Sequence, residues 1–190
     1  MIITVGRINK EKGYYELIEA LRNLKSIEWV AVLVGADDGA ELNIRDLVSK
    51  YDLKDKVFFL GRRDDIPELL NASDIFVLPT HREGVPRSVI EAQIMGLPAI
   101  VTNIRGCREI VIHEETGVIV PPQQVRPLIN AIDRLIKDKS LRVEMGRAGS
   151  KRARECFAEK LVFERILKVY KIIASKKSRS EIYNSIREFG

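Results

Sequence analysis

Between Asp74 and Val101 the sequence changes its period twice, and few folds accept such a segment. Asp74-Ile-Phe-Val-Leu78 is a short apolar run, rich in β-formers and closed by Pro79, which predicts a buried strand. The polar loop Thr80-His-Arg-Glu-Gly-Val85 leads to Pro86, and proline is favoured at the first helical position, where its missing N–H is not needed. A helix is predicted from there to about Gly96, a suitable C′ stop, and Leu97-Pro-Ala-Ile-Val101 begins the next strand. Strand, loop and helix N-terminus in this order is the arrangement in which open parallel sheets bind ligands, at the carboxyl ends of their strands.

The first-turn N–H groups around Arg87 and Ser88, with the positive end of the helix dipole, suit a diphosphate. Glu83 lies just before that turn and Glu91 one turn further in, so their carboxylates are placed to accept hydrogen bonds from sugar hydroxyls on either side of an anion. On spacing alone, both glutamates read first as solvated surface charges.

The rest of the chain repeats the alternation. Ile2-Ile-Thr-Val5 predicts a buried strand, Gly6 to Gly13 a basic loop bounded by glycines, and Tyr14 to about Lys25 a helix on the spacing of Leu17, Ile18, Leu21 and Leu24. Arg7 and Lys12 then share a rim with Glu83 if the sheet is parallel. A forked guanidinium beside a compact ammonium is a sensible clamp for a diphosphate, although two basic residues in a surface loop are ordinarily unremarkable. Trp29–Val34 and Val57–Leu60 predict further strands, each ending at a glycine (Gly35, Gly61). Helical spacing through Leu42, Leu47 and Val48 lies between them, and Ile66–Asn71 predicts a short helix. Thr116 to Pro122 supplies a last strand. Helices are expected over about 125–137, 140–157 and 159–173, with their Met, Phe and Tyr residues in the core and Leu161, Val162, Ile166, Leu167 and Tyr170 on a wide apolar face.

The 190 residues suffice for one domain with a sizeable core, and 45% hydrophobic with 31% charged residues is the balance of a soluble globular protein. No apolar run approaches the roughly 20 residues of a membrane span, and no signal peptide is expected before the first strand. Cys107 and Cys156 lack metal or redox spacing, which predicts reduced thiols in a cytosolic protein. The net charge of +5 fits phosphate-bearing ligands, an anionic membrane surface or nucleic acid. Sparse aromatics and the lack of a recognisable motif argue against nucleic acid. The tail, residues 174–190, reads as a basic hinge followed by a short amphipathic helix with a Ser178–Glu181 capping box and Ile182, Tyr183, Ile186 and Phe189 on one face. A missing partner surface or peripheral contact with a membrane would suit that face.

Glu83 and Glu91, with seven residues between them, in the setting Leu-Pro-x-x-x-Glu-Gly-x6-Glu-Ala-x-x-x-Gly-Leu-Pro, resemble the signature of retaining glycosyltransferases of family 4. Val5-Gly6-Arg7-x4-Lys12-Gly13 resembles the opening motif of that family's donor-binding domain. The resemblance runs from Val5 to about Tyr170. It implies the C-terminal half of the GT-B architecture: a Rossmann-like α/β domain over residues 1–173, an open parallel sheet of about six strands with helices on both faces. It also implies catalytic roles for Glu83, on the sugar, and for Arg7 and Lys12, on the donor phosphates. Gly6, Arg63, Gly84, Val85, Arg87, Ser88 and Glu91 would complete the donor site, with Glu91 on the ribose and Arg63 near the base, where a solvated charged turn is the plain reading of the side chain. Gly106 and Cys107 would edge the sugar site, where Cys107 also reads as a small buried filler.

Pro86 departs from the Glu-Gly-Phe-Gly form of the motif and removes an N–H, while Gln93 and Met95 alter helix packing. The form Arg82-Glu-Gly-x-Pro-Arg-Ser88 recurs in family members that build bacterial and archaeal surface polysaccharides. By resemblance, the substrate is a nucleotide sugar (UDP- or GDP-linked), with no metal and no further cofactor, and a hexosyl group passes to a glycan or lipid-linked acceptor. The N-terminal acceptor domain, in cis or in trans, is missing, so the chain alone is expected to bind weakly and transfer nothing. A cytoplasmic location, at the inner face of the membrane where the acceptor is lipid-linked, follows. The alternative is a non-catalytic nucleotide-binding or assembly module of the same fold. A dehydrogenase is a weaker third, because no Gly-x-Gly-x-x-Gly follows the first strand.

Overall fold

In the computed structural model, which describes residues 1–25 and 28–174, six strands form one parallel sheet. They are β1 (Ile2–Val5), β2 (Ala31–Val34), β3 (Val57–Gly61), β4 (Ile75–Leu78), β5 (Ala99–Thr102) and β6 (Gly117–Val120). Their spatial order is β3-β2-β1-β4-β5-β6. Ile2 pairs with Ala31 on one side and Ile75 on the other, and Ala99 pairs with Phe76 and Gly117. Four of the six strands, β2, β4, β5 and all but the last residue of β1, are buried throughout, as parallel strands covered on two faces must be.

The helices are α1 (Tyr14–Arg22), α2 (Glu41–Lys50), α3 (Ile66–Asn71), α4 (Arg87–Ile94), α5 (Arg105–Ile110), α6 (Val125–Lys137), α7 (Lys139–Phe157) and α8 (Glu159–Ala174). Right-handed crossovers carry α1 and α2 to one face of the sheet, because the chain there runs outward through β2 and β3. From β4 the chain runs outward the other way, so α4 and α5 cover the opposite face. Helix α6 returns to pack on α1. Tyr14, Leu17, Ile18 and Leu21 recur at helical spacing and join Leu128, Ile132 and Leu135 of α6 in one core with Leu33, Val77 and Ile100. Each such side chain stabilises the fold by about 1.5–3 kcal/mol relative to leaving it in water. On the α4 face the buried Gln93 donates from Nε2 to Thr116 O (3.2 Å) and Oγ1 (3.0 Å), tying α4 to the start of β6, so its effect is indeed on packing.

Several expectations need correction. Pro86 is the N-cap of α4, with φ −73° and ψ 100°, and the first helical residue is Arg87: the buried proline ends the extended loop rather than opening the helix. Residues 105–110, for which the sequence predicts no helix, form α5, where Ile104 in extended conformation acts as the N-cap and Cys107 and Ile110 are buried. Leu42 is 72% exposed, and Ile44 takes the buried place beside Val48 on α2. Strands β2 and β5 start two residues later than expected: Val30 O and Pro98 O accept the Ile2 and Phe76 N–H groups at 2.8 and 3.1 Å, and the regular ladder begins only at Ala31 and Ala99.

The chain divides into two compact units, Met1–Lys151 and Arg152–Gly190. In the second unit Phe163 and Tyr170 of α8 are 62% and 66% exposed, so they are not core residues. The expected tail helix, with Ser178, Glu181, Ile182, Tyr183, Ile186 and Phe189, lies outside the described residues. Among the described residues no helix is long and apolar enough to cross a membrane.

Candidate functional site

Strands β1 and β4 are neighbours whose following loops diverge to opposite faces, which opens a crevice at their carboxyl ends. Lys12 comes from the first loop and Glu83 from the second, and they meet across it: Lys12 Nζ donates to Glu83 Oε1. The two side chains are only 17% and 15% exposed, so solvent screens their attraction weakly.

Local structure delivers both. Lys10–Lys12 form a single 3₁₀ turn, capped by Asn9, whose Oδ1 accepts the Lys12 N–H at 3.2 Å. Gly13 ends the turn with φ 71°, and a Cβ there would lie 2.0 Å from Pro79 O, so this loop rests directly on the end of β4. Glu11 O accepts the His81 N–H (2.7 Å) and Thr80 Oγ1 (3.0 Å), while Thr102 Oγ1 donates to Thr80 O. The His81 ring meets Glu16 of α1 at 2.8 Å, Nε2 to Oε1. From the other side Gly106 presses on the glutamate loop: a Cβ would fall 1.9 Å from Gly84 O. Cys107 is fully buried, and burial, then the charge of Glu83, push its thiol up to about 12. It is a neutral filler and not a nucleophile.

Gly6 links this pair to an open cleft. The Lys12 Cδ and Cε pass 3.9 Å from the place a Gly6 Cβ would take, and Gly6 also lines a cleft of about 390 Å³ with Arg7, Gly35, Ala36, Arg62 and Arg63. Tyr14 Oη donates to Gly6 O at 2.7 Å, and burial pushes its phenol well above the usual range. Arg7 Nη1 faces Asp38 at 3.1 Å, and Arg63 makes a two-pronged pair with Asp65 at 2.7 and 2.6 Å. The Arg63 hydrogen bond holds the Asp65 carboxyl below its ordinary range.

The structure thus brings Lys12 and Glu83 into contact and puts Gly6, Arg7 and Arg63 around one cleft. Arg7 does not join Lys12 in a bare clamp, because Asp38 holds it. Gly84, Val85, Arg87 and Glu91 are exposed on the loop and first turns of α4, and Ser88 is half-buried. Asn9, Thr80, His81, Glu16 and Gly13 also build the site, and sequence reasoning missed their parts in it. Asn9 three residues before Lys12 carries a capping signal, but the long-range partners of Glu16 and Thr80 leave no local trace.

The chain matches the family described as "Glycosyl transferases group 1" over residues 1–152. It is 33% identical over 168 residues to the capsular polysaccharide biosynthesis glycosyltransferase CapM of Staphylococcus aureus, covering 87% of this chain and 44% of that protein. It is 39% identical over 147 residues to the UDP-Gal:alpha-D-GlcNAc-diphosphoundecaprenol alpha-1,3-galactosyltransferase of Escherichia coli, covering 73% and 37%. Among solved structures it superposes on Anabaena Alr3699/HepE in complex with UDP and glucose with a TM-score of 0.84, at 25% identity over 90% of this chain and 47% of that one. The chain therefore spans less than half the length of these relatives. Its six-stranded parallel sheet with helices is that of the C-terminal domain of GT-B glycosyltransferases. On the family match across most of its length, this chain belongs to the glycosyl transferases group 1.

Proposed function

We propose that this chain is the donor-binding half of a retaining glycosyltransferase of family 4, which passes a hexosyl group from a UDP- or GDP-sugar to a glycan or lipid-linked acceptor. The observation that carries this reading is the shielded Lys12–Glu83 pair at the crevice where the loops after β1 and β4 part. A diphosphate entering there competes with Glu83 for the Lys12 ammonium. Release of Glu83 leaves its carboxylate facing the sugar, where it positions the ring and stabilises positive charge at the anomeric carbon. Arg7, Lys12 and the N-terminus of α4, at Arg87 and Ser88, stabilise the charge of the departing diphosphate. Gly6, Gly84 and Val85 bring backbone close to the donor, Glu91 takes the ribose, and Arg63 borders the base.

No metal ion or further cofactor belongs to this reading. UDP in the HepE complex and UDP-Gal in the name of the Escherichia coli relative favour UDP over GDP. The acceptor domain, in cis or in trans, is assigned to the part of the relatives that this chain does not span. The chain alone would bind donor and transfer nothing. A lipid-linked acceptor would place the complete enzyme at the inner face of the membrane.

Calorimetric titration of the 190-residue chain with UDP, GDP and ADP, then with their sugars, tests the reading. Heat with UDP or GDP is expected. Lys12→Ala should weaken diphosphate binding about tenfold, the order of a charge-assisted hydrogen bond. Glu83→Ala should keep diphosphate binding, and strengthen it to the extent that Glu83 competes for Lys12, yet abolish transfer once the acceptor domain is restored. No heat and no thermal stabilisation with any nucleotide would overturn the reading.

A further inference from the structure

Behind the Lys12–Glu83 contact lies a second polar pair that donor binding, as proposed, does not use. Glu16 stands in the first turn of α1, four residues after Lys12, and His81 stands two residues before Glu83. Their side chains meet at 2.8 Å and are 17% and 25% exposed. Neither lines the cleft that contains Arg7 and Arg63. Glu16 Oε2 is buried and has no hydrogen-bond partner among the described residues. Stability alone disfavours that arrangement, since burying a carboxylate oxygen without a donor costs free energy. A pair kept against that cost suggests a geometric task.

The backbone shows what the task is. Glu11 O holds the loop at Thr80 and at the His81 N–H, and Gly106 packs on the carbonyls of Glu83 and Gly84. Between those two fixed places lie Arg82 and the side chain of Glu83. On the Lys12 side the Thr80 hydroxyl, 3.0 Å from Glu11 O and 3.2 Å from Arg82 O, ties the backbone, and the His81 ring adds the side-chain tie that reaches across to α1.

Resting on the donor-site reading given above, we infer that Glu16 and His81 form a positioning pair that fixes the glutamate loop on α1 and thereby sets the contact between Glu83 and Lys12. The imidazole N–H donates to the Glu16 carboxylate, so the tie needs an acceptor at Oε1 and not a formal charge. An amide oxygen in the same place serves equally.

Lysine reductive methylation, mapped by mass spectrometry on the ligand-free 190-residue chain, tests the pair without any nucleotide. The exposed Lys54 is the internal reference. In Glu16→Ala, labelling of Lys12 relative to Lys54 should rise about fivefold, the order of coupling between side chains in one network. Glu16→Gln should leave it at the wild-type rate, and His81→Ala should match Glu16→Ala, with no further rise in the double variant. Unchanged Lys12 labelling in both alanine variants overturns the inference, as does an equal rise in Glu16→Gln. Should Glu16→Ala fail to fold, His81→Ala decides by the same measure. A UDP titration of the wild-type chain, run alongside, reports separately on the donor reading: lack of binding there overturns that reading while the labelling still decides the pair.

Discussion

Two kinds of ion pair line the same rim of the sheet. Lys12 and Glu83 are 17% and 15% exposed, whereas Arg7 and Asp38 are 68% and 43% exposed, and Arg63 and Asp65 are 45% and 39% exposed. In the exposed pairs solvent and salt screen the attraction, and ordering two long side chains costs entropy, so they contribute little to the fold. In the shielded pair each charge depends on the other, because removal of one leaves the second partly desolvated without a partner. A ligand can displace an exposed partner cheaply. Displacing Glu83 from Lys12 requires the ligand to supply equal charge in the same place, which makes the shielded pair the discriminating one.

The widest test of this contrast removes the shield itself. Gly13→Val sets a β-branched residue at φ 71° with its Cβ in Pro79 O, and should destabilise the chain by about 3 kcal/mol or more in urea unfolding, if it folds at all. Next in size, Glu83→Ala should cost about 1–3 kcal/mol by orphaning Lys12, and Lys12→Met combined with Glu83→Leu should recover much of that loss. Equal stability of Glu83→Ala and wild type would erase the distinction between the two kinds of pair. Asp38→Ala should cost no more than about 0.5 kcal/mol, and less still in high salt.

The smallest effect is one of pH. Arg63 holds the folded Asp65 carboxyl below its ordinary 3.8, so its contribution is present above pH 3.8 and is lost as the pH falls through the lower folded value. Stability curves of wild type and Asp65→Asn should therefore converge at the acid end, with only a slight separation at neutral pH. A large neutral-pH separation would move this pair into the class of Lys12–Glu83.

Much of the fold is legible in the chain. The bounds of β1, α3 and α6 agree with the sequence reading residue for residue, because Ile2–Val5 is a clean apolar run, and Ile66–Asn71 and Val125–Lys137 have sharp ends in polar residues. Helix α5 escaped, since Arg105-Gly-Cys-Arg-Glu-Ile110 has little helical pattern and owes its form to the tertiary burial of Cys107 and Ile110. The candidate residues were also nameable, but their pairing was not. Nothing local says that Lys12 chooses Glu83, 71 residues away, while Arg7 chooses Asp38.

By itself, then, the order of apolar runs and helical stretches determined that this chain makes a parallel sheet with loops at one rim, because side-chain periodicity dictates which surfaces must be buried. Which charges on that rim are shielded and which stay wet was decided only in three dimensions. Burial depends on the close approach of Gly13 to Pro79 and of Gly106 to Gly84, backbone contacts between segments far apart in the chain, and it is burial that sets the strength of a charge pair.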